Sequence, residues 1–263
     1  MDAAPDINIF RLMAGFGLLL VPAGLSIVYR LGIVGRLFLA VGRMAGQLFL
    51  VSILLIYLFE WDHSLVNIAW VVLMILFASF SAIHNSNLDF RRFFVPVFVA
   101  YIAGAGSVLL FFNAVIVNPE NIFSAQLLVV VGGMLLGNSL HSIIIGISRY
   151  YESIRKEQKR YLYLLSLGAT AWEAQRPFFR EGILAALNPF LANMATMGVV
   201  FLPGMMTGQI LGGASPDTAI KYQIAIMLAI FTAVTLSVSL AIYLTSRKSF
   251  DGYGVLKEEV FRT

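Results

Sequence analysis

The 18 basic and 14 acidic residues of this 263-residue chain are gathered into short clusters. Between them lie seven windows with no charge at all: 12–29, 44–59, 63–88, 93–119, 121–148, 182–216 and 222–246. About 20 apolar residues in a helix cross the ~30 Å of bilayer hydrocarbon, at 1.5 Å per residue. Backbone groups in lipid must bond within their own segment, so windows this long become helices. The first two are short, but Arg11, Arg30 and Arg43 stand at their edges, where a long cationic side chain reaches the interface. The pattern predicts an all-α, polytopic membrane protein of seven spans, with 1–263 forming a single transmembrane domain.

Composition agrees with this reading. Charged residues make up 12% and hydrophobic ones 59%, against about 25% charged in soluble domains. So little charge cannot coat a water-soluble globule. It also excludes a nucleic-acid module, since a net charge of +4 on so apolar a chain suits loops facing anionic lipid. No cysteine is present, which excludes disulfides and thiolate-held metal. Asp2 and Asp6 stand where a secretory signal would carry basic residues, so the first apolar stretch reads as a retained span.

The positive-inside rule orients the spans. With 148–181 in the cytosol, the segments 30–43, 84–92, 148–181 and 247–263 hold every basic residue except Arg11 and Lys221. The expected topology is N-out, C-in. Window 182–216 is too long for one span and contains Pro189 and Pro203. It predicts one crossing from about 183 to 202, then a broken or re-entrant segment around 203–216. Backbone of that kind survives in a membrane only where protein buries it or where it lines a cavity.

The loop 148–181 carries a local signal. A helix continuing from the fifth span would end near Leu167, with Gly168 just beyond its end. Thr170 followed by Glu173 is a capping box that starts a short helix at Ala171. Pro177 limits how far that helix runs unkinked. The reading is helix, glycine elbow, short helix, next span. The elbow serves either as a plain connector or as a docking element for a cytosolic partner.

Three motifs carry a resemblance. Ser166-Leu167-Gly168-Ala169-Thr170, the run from Leu202-Pro203-Gly204-Met205-Met206 through Thr207-Gly208-Gln209-Ile210, and Ala219-Ile220-Lys221-Tyr222-Gln223-Ile224 are similar to the FetB family. Those are ABC-transporter permeases linked to iron export in bacteria, with plant relatives linked to aluminium tolerance. The similarity extends from about 25 to 246 and includes Gly42-Arg43 and Gly137-Asn138. It implies a homodimeric permease in the bacterial inner membrane that exports iron or another metal ion. A separate cytosolic ABC ATPase would bind the ATP and Mg, and this chain would hold no cofactor. It further implies that Leu167, Gly168, Ala169, Thr170, Glu173 and Arg176 couple to that ATPase. Leu162 stands where the related importer pattern has Glu. The residues agree on one point: no phosphate-cradling G-x-x-x-x-G-K-[ST] sequence occurs, so the motor must come from another chain.

Polar and sulfur groups inside the windows are the candidate transport path. They are Asn138 and His141 in the fifth span, Asn188, Asn193, Met194 and Met197 in the sixth, and Pro203, Gly204, Met205, Met206 and Gln209 beyond it. Thioethers suit soft cations, whereas ferrous iron prefers imidazole and carboxylate. The hard-donor candidates for a metal are therefore Glu60, Asp62 and His63 at the outer end of the second span, with His141. Gly137-Asn138-Ser139-Leu140 formally matches an intramembrane serine-protease motif, but no His follows His141 to serve Ser139. Other readings are a permease for an organic solute such as a nucleotide sugar or lipid, and an ATP-independent channel or secondary transporter.

Overall fold

A computed structural model describes residues 7–260. Asp2, Asp6 and Arg262, which the topology reading used, lie outside the described residues. The described chain is helical: α1 Ile9–Val28, α2 Val34–Trp61, α3 Ser64–Asn85, α4 Phe90–Val117, α5 Ala125–Lys156, α6 Gln158–Ser166, α7 Ala171–Thr196, α8 Gly204–Leu211 and α9 Pro216–Ser249. Six of these, α1 to α5 and α9, are long and apolar enough to cross a membrane. Each contains one of the charge-free windows or most of it.

The core lies where α5 packs on α3, α7 and α9, and where α4 packs on α9 and α3. Phe93, Tyr101, Phe112, Leu135, Ile143 and Ile147 are wholly buried there. Two close approaches set the spacing. A Cβ on Gly104 would come 2.7 Å from the Ser237 backbone nitrogen, at a π-helical turn of α4 over Ile102–Gly106. A Cβ on Gly182 would come 2.8 Å from the Gly146 carbonyl oxygen. Small residues are what allow helix backbones to meet in a membrane. By contrast, α2 buries none of its 28 residues, and α1 buries only Ala23 and Ser26.

Side-chain ties fix which loops share an end of the bundle. At one end Asp62 Oδ1 accepts from the Ala125 N–H at 2.6 Å and from Asn67 Nδ2 at 3.0 Å. Asn67 Nδ2 also donates to the Phe123 carbonyl at 2.9 Å. At the other end Asp89 N–H donates to the Val260 carbonyl at 3.1 Å, and Arg92 pairs with Glu259. Residues 89–92 thus meet 259–260 at one end of the bundle, and 62–67 meets 123–125 at the other.

Three expected boundaries differ. Helix α7 is one unbroken helix of 26 residues from Ala171 to Thr196, so the expected short elbow helix and the helix after it are one element, and it is not among the six helices long and apolar enough to cross a membrane. It runs through Pro177 and Pro189, although each proline removes one hydrogen bond, to the carbonyl four residues earlier. Packing against α5 and α9 holds it straight enough to continue. The crossing expected to reach 202 stops at Thr196, because Gly198 turns left-handed at φ 85° and 197–203 is irregular. The short helix α8 and the turn at Gly213 follow. The helix continuing from the fifth span also breaks once, at Glu157, between α5 and α6.

Candidate coupling elbow and transport path

The elbow is capped from both sides. Gly168, at φ 89°, donates to the Leu165 carbonyl at 3.0 Å, and Ala169 donates to the Leu164 carbonyl at 3.2 Å. These are the paired bonds of a Schellman stop, which needs a left-handed residue beyond the helix end. Two residues on, the Glu173 N–H donates to Thr170 Oγ1 at 3.3 Å and the Thr170 N–H donates to Glu173 Oε2 at 2.8 Å. The Thr170 hydroxyl and backbone hold the Glu173 carboxyl below its usual range. One helix therefore ends and the next begins with only Leu167, Gly168, Ala169 and Thr170 between them.

Behind the elbow sits a buried polar cluster. Tyr161 donates its hydroxyl to the Gly254 carbonyl at 2.6 Å, and Tyr150 donates to Gln175 Oε1 at 3.0 Å. Burial raises the Tyr161 phenol above its ordinary value, so it stays a donor. The chain's end thereby packs under the elbow, with Gly254 against Leu165 and Ala171. On the outer surface Leu167 is 65% and Trp172 47% exposed. Trp172, Gln175, Tyr243, Arg247 and Asp251 line a cavity of about 470 Å³, where Trp172 meets Tyr243 edge-on and Arg247 lies 4.9 Å over the Tyr243 ring. Arg176 is exposed beside this cavity's helix.

The path candidates divide into two groups. Met194, Met197, Pro203 and Met206 come together around a cavity of about 430 Å³ between α7, α8 and α9. Gln223 and Met227 join them from α9. Sequence reading missed these two, although Gln223 is the polar residue at the very start of the last window and Met227 lies one turn along the same face. Met205 packs on the core, Gly204 is exposed, and Gln209 carries a buried Oε1 with no partner. The second group faces outward. Asn138 is half-buried, and His141, Asn188 and Asn193 are exposed on the protomer's surface. Asn138 donates to the Met134 carbonyl at 2.7 Å and His141 Nδ1 lies 3.0 Å from the Gly137 carbonyl.

The hard-donor candidates do not form a cation site within the protomer. Among the described residues no group of three or more His, Asp or Glu could hold a metal ion. His141 lies within α5, away from Glu60, Asp62 and His63, and Asp62 is committed to the Ala125 and Asn67 donors. Ser139 is buried with its hydroxyl unpartnered while His141 turns to its own helix, so they make no nucleophile–base pair.

Comparison with known proteins fits this architecture. Residues 9–250 match the family model described as "Uncharacterised protein family (UPF0014)". The "Probable iron export permease protein FetB" of Escherichia coli is 34% identical over 81% of this chain and 80% of its own length. STAR2 of Oryza sativa is 29% identical over 97% of this chain and 88% of its own. The protein ALUMINUM SENSITIVE 3 of Arabidopsis thaliana is 30% identical over 90% and 85%. No solved structure matches. With a family match over nearly the whole chain, including the elbow, the cavity and every candidate span, this multi-pass membrane protein belongs to the UPF0014 family.

Proposed function

We propose that the chain is the membrane subunit of an ABC exporter, driven by an ATPase bound at the elbow. The observation that carries this is the double cap. An exposed four-residue joint is capped on both sides, and α7 runs from it into the bundle, so a displacement at the joint moves α7 as a unit. Helix α7 is the seventh crossing in this reading. Its start lies beside Ser246 and its end beside Ile220, two α9 positions separated by ~39 Å at 1.5 Å per residue. The chain is then N-out and C-in, with α8 as a short re-entrant piece at the outer face.

The outward-facing polar residues support a homodimer. Taking the Gly146–Gly182 contact as the crossing point, His141 and Asn188 lie at one depth, each ~8–9 Å toward the outer face. Polar side chains at that depth are costly against lipid, and a second copy provides the non-lipid neighbour. The path runs between the two copies, and ATP binding switches it from inward- to outward-open.

Iron as cargo follows the name of the Escherichia coli relative. Export of an organic solute is the second reading. It is favoured by the lack, among the described residues, of a hard-donor group.

The test is reconstitution in liposomes with the candidate ATPase. Leu167→Asp should cut ATPase association at least tenfold while leaving the permease's own unfolding temperature unchanged. Unaltered association and transport would overturn the coupling role. ATP-dependent efflux of ferrous iron, measured beside a set of organic solutes, decides the cargo.

A further inference from the structure

We infer that the cavity between α7, α8 and α9 is a binding site for a small amphipathic organic molecule: an apolar body carrying one hydrogen-bonding head group. Three observations converge on it. The first is size. A bare ion needs little more room than a water molecule, on the order of 30 Å³. This cavity has about 430 Å³, within the ~300–1,000 Å³ typical of organic ligand sites.

The second is the lining. Met194 comes from α7, Met197 from the irregular segment just after it, Met206 from α8 and Met227 from α9, with Leu202 and Pro203 beside them. Flexible, polarizable thioether chains adapt to ligands of varied shape. No charged residue lines the cavity, so nothing there rewards a hydrated or highly charged solute.

The third is an amide without a partner. Gln223 is 6% exposed and lines the cavity, and its Oε1 makes no hydrogen bond. A buried acceptor left unmade costs ~1–3 kcal/mol. A ligand hydroxyl or N–H entering the cavity would satisfy it. One polar group among apolar walls is the pattern that orients an amphipathic ligand. Gly198, which lines the cavity, turns left-handed at φ 85°, and Val199 and Val200 just beyond it are 92% and 74% exposed.

The site belongs to this chain alone, so its occupancy is read without the ATPase and stands or falls separately from the pump. The probe is a diazirine derivative of octanol, photolysed with the full chain in lipid nanodiscs, and its methyl ether as the control that accepts but cannot donate. The alcohol should label peptides covering 194–228 at least fivefold above those of α2, and the ether should not. Gln223→Leu should abolish the difference between the two probes. Met194→Leu with Met227→Leu, which keeps the apolar volume, should retain labelling. Competition by a lipid of the same head-group chemistry, against competition by free octanol, separates a bilayer source from a soluble one.

Labelling spread evenly over all lipid-facing helices would overturn the site. So would labelling lost in the double leucine variant together with saturable Ag(I) binding in the parent, which would make it a thioether site for a soft cation.

Discussion

A Cβ placed on Gly182 would lie 2.8 Å from the Gly146 carbonyl oxygen, 3.1 Å from Ile242 and 3.2 Å from Tyr150. Three long helices therefore meet at one glycine, and the atom in the way is backbone, which cannot swing aside. Gly182→Ala should destabilise the bundle by about 1–3 kcal/mol, the usual cost of overpacking. Gly137→Ala is the control, because nothing lies within 4 Å of its would-be Cβ. Thermal unfolding in detergent should separate the two variants, with a lower midpoint for Gly182→Ala alone.

Tyr161 ties the chain's end to the elbow through the buried Gly254 carbonyl. Tyr161→Phe removes the donor and leaves that carbonyl unpaired, at about 1–3 kcal/mol. The loss is local, since Gly254 sits in the turn after Ser249 rather than in a helix. Hydrogen exchange should accelerate over 250–260 and stay unchanged in the core of α5.

The charge windows made the spans legible because a bilayer penalises charge so heavily that its absence marks depth. The elbow was legible because Gly168, Thr170 and Glu173 act through bonds only three to five residues long. What the sequence hid depends on distant contacts. Continuity of α7 through Pro177 and Pro189 comes from packing on α5 and α9, and local propensity argues against it. The tie between Tyr161 and Gly254 joins residues 93 apart. Gln223 stands near a helix start, and only the fold places it among the methionines.

Glu173 gives the elbow a pH dependence. Its carboxyl is held below the ordinary value of 4.5 by the Thr170 hydroxyl and N–H. A group with a depressed folded value adds stability that is fully present above its unfolded value and is lost as pH falls through the folded one. The cap should therefore hold at neutral pH and loosen only below about 4.5. Trp172 fluorescence, one residue away, should report the change. Glu173→Gln keeps the capping geometry and should remove the pH dependence, leaving the neutral-pH spectrum as it was.

Absence of cysteine lets topology be tested by adding one residue at a time. Glu120 is exposed in the segment between α4 and α5, and Tyr253 is 89% exposed beneath the elbow. They lie at opposite ends of the bundle, Glu120 near the Asp62 ties and Tyr253 near Gly254 and Leu165. In intact bacterial spheroplasts, Glu120→Cys should react with a membrane-impermeant maleimide and Tyr253→Cys should not. Permeabilised cells should label both. The reverse pattern would put the basic elbow outside, away from any ATP-driven motor, and would remove the coupling proposal with it.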